Sequence, residues 1–239
     1  MIGALDVVLP ARDEEQRIGS AIEAVLASRD RLSEREPGLP CRLVVVLDAC
    51  TDRSRDIARS FGAQVELLEV SFAAVGAARA AGVEHLLRTA ADVAPRRHWI
   101  GNTDADTRVP ASWLLDQLQA ARSGALLALG RVVPHPAELA PHALDAWDRA
   151  HPLGERHVFG ANLGVRADVY RRAGGFPPAT VGEDVALVAA VQAIVDERGP
   201  LAGQAGSIVD LRGAPAVTSA RVEGRAPGGF ADYLASLAE

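Results

Sequence analysis

Apolar positions along this chain follow two patterns that alternate. Short unbroken runs rich in β-branched residues, LDVVLP (5–10), CRLVVVLD (41–48), QVELLEV (64–70) and HWIGNTD (98–104), have the length and composition of buried strands. Between them, apolar residues recur with helical spacing. DEEQRIGSAIEAVLASR puts Ile18, Ile22, Val25 and Leu26 on one face, and its acidic start suits the positive end of a helix dipole. DRSRDIARSFG reads as a short helix stopped by Gly62, and VGAARAAGVEHLLRTA (75–90) as an alanine-rich one. Strands alternating with helices predict an α/β fold with a mostly parallel, Rossmann-like sheet covered on both faces.

The second half is less regular. Residues 111–122 read as a helix, ALLALGRVVP (125–134) as one strand, PHALDAWDRA (141–150) as a helix, and VFGANLGVR (158–166) as a strand or turn. GEDVALVAAVQAIVDERG (182–199) is a strong helix. The tail from residue 214 mixes Gly, Pro and Arg ahead of a short terminal helix, and its middle is expected to be a mobile loop. In open α/β sheets, ligands bind at the carboxyl ends of the strands. That rule gathers Pro10, Ala11 and Arg12, then Asp48, then Asp104 and Asp106 on one edge.

Composition narrows the chemistry. Hydrophobic residues make up 49% of the chain, which argues for a substantial core, and the formal net charge of −6 gives no support to nucleic-acid binding. All 25 basic residues are arginine. Schiff-base lysine chemistry and a P-loop lysine are therefore excluded, and forked guanidinium groups are left to hold any phosphate. Cys41 and Cys50 form neither a CxxC pair nor a disulfide framework, so reduced thiols and a cytoplasmic location are expected. The N-terminus has no signal-peptide pattern, and LVVVL is too short to cross a bilayer. The histidines lack zinc-site spacing, His157 alone lying near a candidate segment, and neither GxSxG nor a Walker A motif occurs.

NTDADTRVP (102–110) sets Asp104 and Asp106 two positions apart, on one side of an extended segment. Two carboxylates so placed repel unless something positive lies between them. Either this is a polar loop after a strand, or it is a site for a hard divalent cation with oxygen ligands.

VVLPARDEE, VVVLDACTD, NTDADT, GANLGVR…GGF and GED occur in this order and at suitable spacing. Together they resemble family 2 glycosyltransferases of the GT-A fold, over nearly all of the chain up to about residue 196. The resemblance implies transfer of a sugar from a nucleotide-activated donor, by default a UDP-sugar, to a small-molecule or lipid-linked hydroxyl acceptor, with bound Mn²⁺ or Mg²⁺. It implies one domain over 1–239, with a nucleotide-sugar half at 1–110 and an acceptor half at 111–239; a homodimer is compatible with it. Asp13 stands where the family usually has Asn, and Leu47-Asp48-Ala49-Cys50 replaces its usual Asp-Asp-Gly-Ser. The QxxRW motif of processive synthases is absent, which points to single transfers.

Residue by residue, Asp104-Ala105-Asp106 match the metal-binding DxD motif, with Asp106 as the direct ligand and Asp104 facing the ribose or a metal-bound water. Pro10, Arg12 and Glu14 fall on the turn that meets base and ribose, although Glu14 also suits a helix dipole. Asp48 matches a base-binding aspartate or else caps a turn, and Arg79 matches a residue beneath the nucleotide. Gly160, Ala161 and Asn162 match the segment shaping the sugar and acceptor pocket. Asp184, or less favourably Glu183, matches the base that activates the acceptor hydroxyl. Arg221 and Arg225, near Gly224, Gly228 and Gly229, are expected to clamp the diphosphate or else to form a solvated basic segment. Two other readings stay open: a retaining transferase of the kind that glycosylates 3-phosphoglycerate, and a non-catalytic nucleotide-sugar-binding module. A nucleotidyltransferase is discounted, because PARDEE lacks the glycine-rich loop that chemistry uses.

Overall fold

The computed structural model describes residues 1–197, 207–221 and 229–238. Its first half alternates as the periodicity predicts: β1 (Ala4–Ala11), α1 (Ile18–Arg35), β2 (Leu43–Asp48), α2 (Ser54–Ser60), β3 (Glu66–Val70), α3 (Val75–Thr89) and β4 (His98–Asn102). Two short strands and a helix follow in β5 (Thr107–Arg108), α4 (Trp113–Arg122) and β6 (Leu127–Leu129). The rest is β7 (Val132–Pro134), α5 (Pro141–Ala150), β8 (Leu163–Arg166), α6 (Ala167–Arg172), α7 (Glu183–Glu197), β9 (Ile208–Asp210), β10 (Ala216–Thr218) and α8 (Phe230–Ala238).

Seven strands form the main sheet in the order β3-β2-β1-β4-β8-β6-β9. Only β8 runs antiparallel to its neighbours. Side chains alternate across β1: Leu5, Val7, Leu9 and Ala11 pack with α1, α2 and α4, while Val8 packs with α3, α6 and α7 on the other face. Each large aliphatic side chain buried this way stabilises the fold by about 1.5–3 kcal/mol. Consecutive strands step from β1 outward to β2 and β3, then return to β4 on the other side of β1. The crevice at this reversal, beyond the strands' carboxyl ends, is where an open α/β sheet binds ligands.

Two expectations need correction. The first helix begins at Ile18, not at Asp13, because residues 13–15 are tied across to the exit of β2. The Ser54 hydroxyl accepts from the Glu14 amide at 2.7 Å, and Asp52 accepts from the Glu15 amide at 2.8 Å. No acidic residue lies in the first turn of α1, so Glu14 does not serve its dipole. The single strand expected at 125–134 breaks at Gly130–Arg131 into β6 and β7, which join different sheets. The Gly130 amide donates to the Asn162 carbonyl at 2.8 Å, and the Asn162 side-chain amide donates to the Arg131 carbonyl at 2.9 Å. The tail also contributes β10, which sits between β5 and β7 in a second, three-stranded sheet, while its middle, expected to be a mobile loop, lies outside the described residues.

At the far end of the main sheet, Asp6 is fully buried and accepts from the Arg42 backbone amide at 2.8 Å and from the Arg42 guanidinium, with His98 Nε2 at 2.9 Å. These contacts tie β1 to β2 and β4. Burial, the largest influence, pushes the Asp6 pKa up, but hydrogen bonds from His98 and Arg42 outweigh it and leave the carboxyl below its ordinary 3.8. Its stabilisation is therefore complete above the unfolded carboxyl's pKa and is lost as the pH falls below 3.8 through the folded value. Asp6→Asn, which leaves a buried partner uncompensated, is expected to lower stability by about 3 kcal/mol. Urea unfolding should show that loss at pH 7 and a progressively smaller one as the pH falls below 3.8; a loss that does not change with pH would rule out the ionised network.

Candidate active site

A cleft of about 630 Å³ opens at the reversal point. Its walls include Pro10, Arg12, Glu14, Asp48, Arg79, Asp104, Ala105, Asp106, Gly160, Asp184 and Arg221, so eleven expected site residues meet in one cavity. They come from the exits of β1, β2 and β4, from α3, from the turn before β8, from the start of α7 and from the end of β10. All described non-glycine residues with left-handed φ, Asp13 (52°), Ala49 (52°) and Ala73 (53°), lie just past β1, β2 and β3. Such backbone costs about 1 kcal/mol or more per residue and persists where surrounding contacts enforce it.

The floor of the cleft is organised by Arg79, only 2% exposed. Its Nε donates to Glu183 at 3.1 Å, its Nη2 to Asp104, and Phe176 lies beneath its plane with the ring centroid at 5.8 Å. A Cβ on Gly160 would fall 2.6 Å from Arg79 Nη2, so only glycine lets the main chain lie against this guanidinium. Gly76 has a comparable duty: its amide donates to the Ala179 carbonyl at 3.0 Å, and a Cβ there would meet the Pro177 carbonyl at 2.0 Å. This close approach draws the 177–184 segment against α3. Asp184 is then held by the Gly160 amide at 2.6 Å and its own helix's Val185 amide at 2.8 Å. Glu183 points inward to Arg79, with burial raising its pKa against the opposing pull of Arg79; Asp184 lines the cavity.

The opposite rim is built around Arg221. Its Nη1 and Nη2 bind the two oxygens of Glu14 at 2.8 and 2.7 Å, and Nη2 also reaches Asp106 at 3.0 Å. Pairing of β10 with β5 carries Arg221 there, and the Ser219 amide donates to the Asp106 carbonyl at 3.0 Å. Arg225, with Gly224 and Gly228, lies outside the described residues. Arg12 donates to the Ala73 carbonyl at 3.2 Å, across the cleft mouth. Asp48 braces the same loop, accepting from the amides of Phe72, Ala73 and Ala74 at 2.7, 2.8 and 2.9 Å. Three of about four carboxylate lone-pair sites are thus in use. The turn that Asp48 holds is the one after β3.

Asn162 is not on the cleft wall. Its side-chain oxygen accepts from Trp113 Nε1 at 2.8 Å and its amide serves Arg131, which makes it a brace behind the wall. His157 is likewise absent from the lining. Wall residues not anticipated from the sequence include Ala73–Val75, Phe159, Val181, Val185, Thr218, Phe230 and Tyr233. The 73–75 stretch follows a strand at the ligand-binding edge, so the edge rule could have found it; the aromatic residues gave no such signal.

Six carboxylates and three guanidinium groups are among the residues lining the cleft. Burial above all, then the charge of Glu14, pushes the Asp106 carboxyl up to about 7, with Arg221 opposing and Asp104 adding to the rise. A hard divalent cation would relieve this excess, and oxygen ligands suit it. Asp106 and Asp104 both line the cleft and could offer oxygens to such an ion, each also meeting a guanidinium, Arg221 and Arg79 respectively. The described triplet with ligand atoms within 4.8 Å of one another, Asp13, Cys50 and Asp52, fits less well. Asp13 already accepts from the Thr51 and Asp52 amides at 2.6 and 3.2 Å, Asp52 accepts from Ser54 and Glu15, and burial raises the Cys50 pKa away from the thiolate.

The sequence profile of Glycosyl transferase family 2 matches residues 6–164. A sequence search of the curated proteins finds no match. Among solved structures, S. aureus TarS 1-349 in complex with UDP aligns with a TM-score of 0.61 at 15% identity, over 91% of this chain and 61% of that one. TarS 1-349 with UDP-GlcNAc aligns at 0.62 and 16%, over 92% and 59%. The UDP complex of M. tuberculosis glucosyl-3-phosphoglycerate synthase aligns at 0.51 and 19%, over 89% and 73%. The chain thus spans about three fifths of the TarS chain it matches. At these identities the likeness is one of fold, the GT-A glycosyltransferase fold.

If Arg79 holds the two sides of the cleft together, Arg79→Met and Glu183→Gln should not act independently. Each is expected to cost on the order of 3 kcal/mol, since each strands a buried charge or leaves it short of a partner. A double-mutant cycle read by chemical denaturation should give a coupling above about 1 kcal/mol; additive losses would mean that the pair does not form.

Proposed function

The chain belongs to glycosyl transferase family 2, and we propose that within it the protein moves one sugar from a UDP-sugar to a hydroxyl acceptor, with inversion, aided by Mn²⁺ or Mg²⁺. The observation that carries this reading is the excess of carboxylates in a single cleft, with Asp48, Asp104, Asp106 and Asp184 all on its walls. A dianionic diphosphate can enter such a cleft only with a cation. No helix among the described residues is long and apolar enough to cross a membrane. A cytoplasmic site of action, where Cys41 and Cys50 stay reduced, belongs to this proposal.

Residues 1–110 form the donor half and 111–239 the acceptor half. Pro10, Ala11 and Arg12 take one face of the base. Asp48 sets the 72–74 loop on the other side and offers its remaining lone pair to a base N–H. Asp106 and Asp104 would hold the metal, which when bound would supply charge stabilisation to the departing diphosphate. Arg221, already poised over Asp106, contributes a forked cation to the same oxygens. Gly160 lets the chain run close beneath the sugar. Asp184 accepts the proton of the acceptor hydroxyl as its oxygen bonds to the anomeric carbon. The bond from that carbon to the diphosphate oxygen breaks in the same displacement, and its electron pair leaves with UDP. One carboxylate acting in one displacement gives inversion, which NMR of the product anomer reads directly.

Three measurements test this. A thermal-shift screen of UDP, GDP, dTDP and CDP, with and without Mn²⁺, should show the largest rise for UDP and only with metal; no metal-dependent rise for any nucleotide would sink the reading. Asp184→Asn is expected to lower turnover by at least about a hundredfold while leaving UDP binding nearly intact, whereas near-normal turnover would refute the assignment. Arg221→Glu should raise the donor KM or lower kcat by about tenfold or more, and unchanged values would return Arg221 to a purely structural part.

A further inference from the structure

The cleft is chemically two-sided. Its guanidinium groups each have a partner on the protein: Arg12 and Arg221 stand on the donor side, and Arg79 lies at the floor between the two sides, paired with Glu183. The wall beyond Asp184 is built from segments 158–161, 180–185 and 229–233, which contain no basic residue. It presents Val158, Phe159, Val181, Val185, Phe230 and Tyr233 to the cavity. Val185 is 55% exposed, and Val181 and Tyr233 are 39% exposed, so three of the six large hydrophobic side chains exposed among the described residues gather at this one mouth. Scattered exposed apolar residues need no explanation, but a cluster rimming a cleft marks a binding surface.

The wall is also rigidly backed. Trp147 is fully buried and meets Phe230 edge-on at 5.4 Å, Tyr233 edge-on at 6.0 Å and Phe159 at 5.8 Å, with His151 stacked on it at 3.7 Å. Helices α5 and α8 thus hold three aromatic rings at fixed angles along the cavity. Such a wall offers offset and edge-to-face contacts to a flat apolar ring. Among the described residues it offers no cation to a phosphate or carboxylate, which would sit unpaired beside Asp184 and Glu183.

Resting on the glycosyltransferase reading, we propose that this wall is the acceptor subsite and that the acceptor is an uncharged alcohol or phenol carried on an aromatic ring. Val181 and Val185 flank Asp184, so a ring seated among them delivers its hydroxyl to the base. The proton passes to Asp184, the oxygen bonds to the anomeric carbon, and UDP leaves with the electron pair of the broken bond.

The test uses the full chain loaded with UDP and Mn²⁺, with nucleotide binding measured first by calorimetry. Saturation-transfer NMR then follows four probes: a substituted phenol, benzyl alcohol, 3-phosphoglycerate and octanol. Binding of the aromatic hydroxyl compounds alone is expected, with a matching product in the presence of UDP-sugar. Tyr233→Ala should weaken aromatic binding by about tenfold and leave the UDP affinity unchanged, while Tyr233→Phe retains both. Val185→Asp, a surface change that need not disturb folding, should abolish aromatic binding alone. Binding of 3-phosphoglycerate, of octanol without the aromatic probes, or of no probe while UDP binds normally would overturn the acceptor assignment and leave the donor chemistry standing. Failure of UDP and Mn²⁺ to bind at all would instead remove the glycosyltransferase reading on which the assignment rests.

Discussion

The Arg79 guanidinium is removed from water, and a charge so placed must be matched by its surroundings or the fold gives way. Here the match comes from opposite directions in the sequence: Asp104 from the exit of β4 and Glu183 from the start of α7. Glu183 could not be buried there without a cation beside it. The same guanidinium lies against the main chain at Gly160, whose amide holds Asp184. One cation therefore fixes the relation between the DxD segment and the base proposed to act opposite it. Arg221 does the complementary work on the other rim, where it joins Glu14 to Asp106 through a strand pair remote in sequence.

This wiring separates two kinds of chemistry within one cavity. On one side, carboxylates outnumber guanidinium groups, which is the surrounding the proposed metal-bound diphosphate would need. On the other, aromatic and branched side chains gather around Asp184 with no basic residue in the wall segments. The proposed base stands at the seam. An inverting displacement requires that its leaving group and its nucleophile approach from opposite sides, and the division of the walls supplies different surroundings for each.

Much of the sheet was legible because buried parallel strands announce themselves as apolar runs, and their order puts their exits on one edge. The DxD pair and Asp184 were legible by resemblance, carried by motifs that keep their spacing. What stayed hidden depends on contacts between distant residues. No periodicity links Arg79 to Glu183, and an alanine-rich helix with one arginine reads equally well as exposed. Strands of two or three residues, such as β5 and β10, are too short to show alternation, so the anchoring of Arg221 could not be read from the tail. Asn162 illustrates the converse: its motif suggested a ligand contact, but Trp113 and Arg131 occupy its amide. Likewise Asp13, Glu14 and Glu15 look like a helix start until the amide demands of the neighbouring β2–α2 turn are met first.

The most direct measurement is anomalous X-ray diffraction at the manganese edge from crystals of the protein grown with UDP and Mn²⁺. The account expects a single strong peak beside Asp106, with nucleotide density running toward Pro10 and Asp48 and with Arg79 still joining Asp104 to Glu183. A peak at Asp13, Cys50 and Asp52 instead, or UDP bound in the cleft with no metal against Asp106, would contradict it.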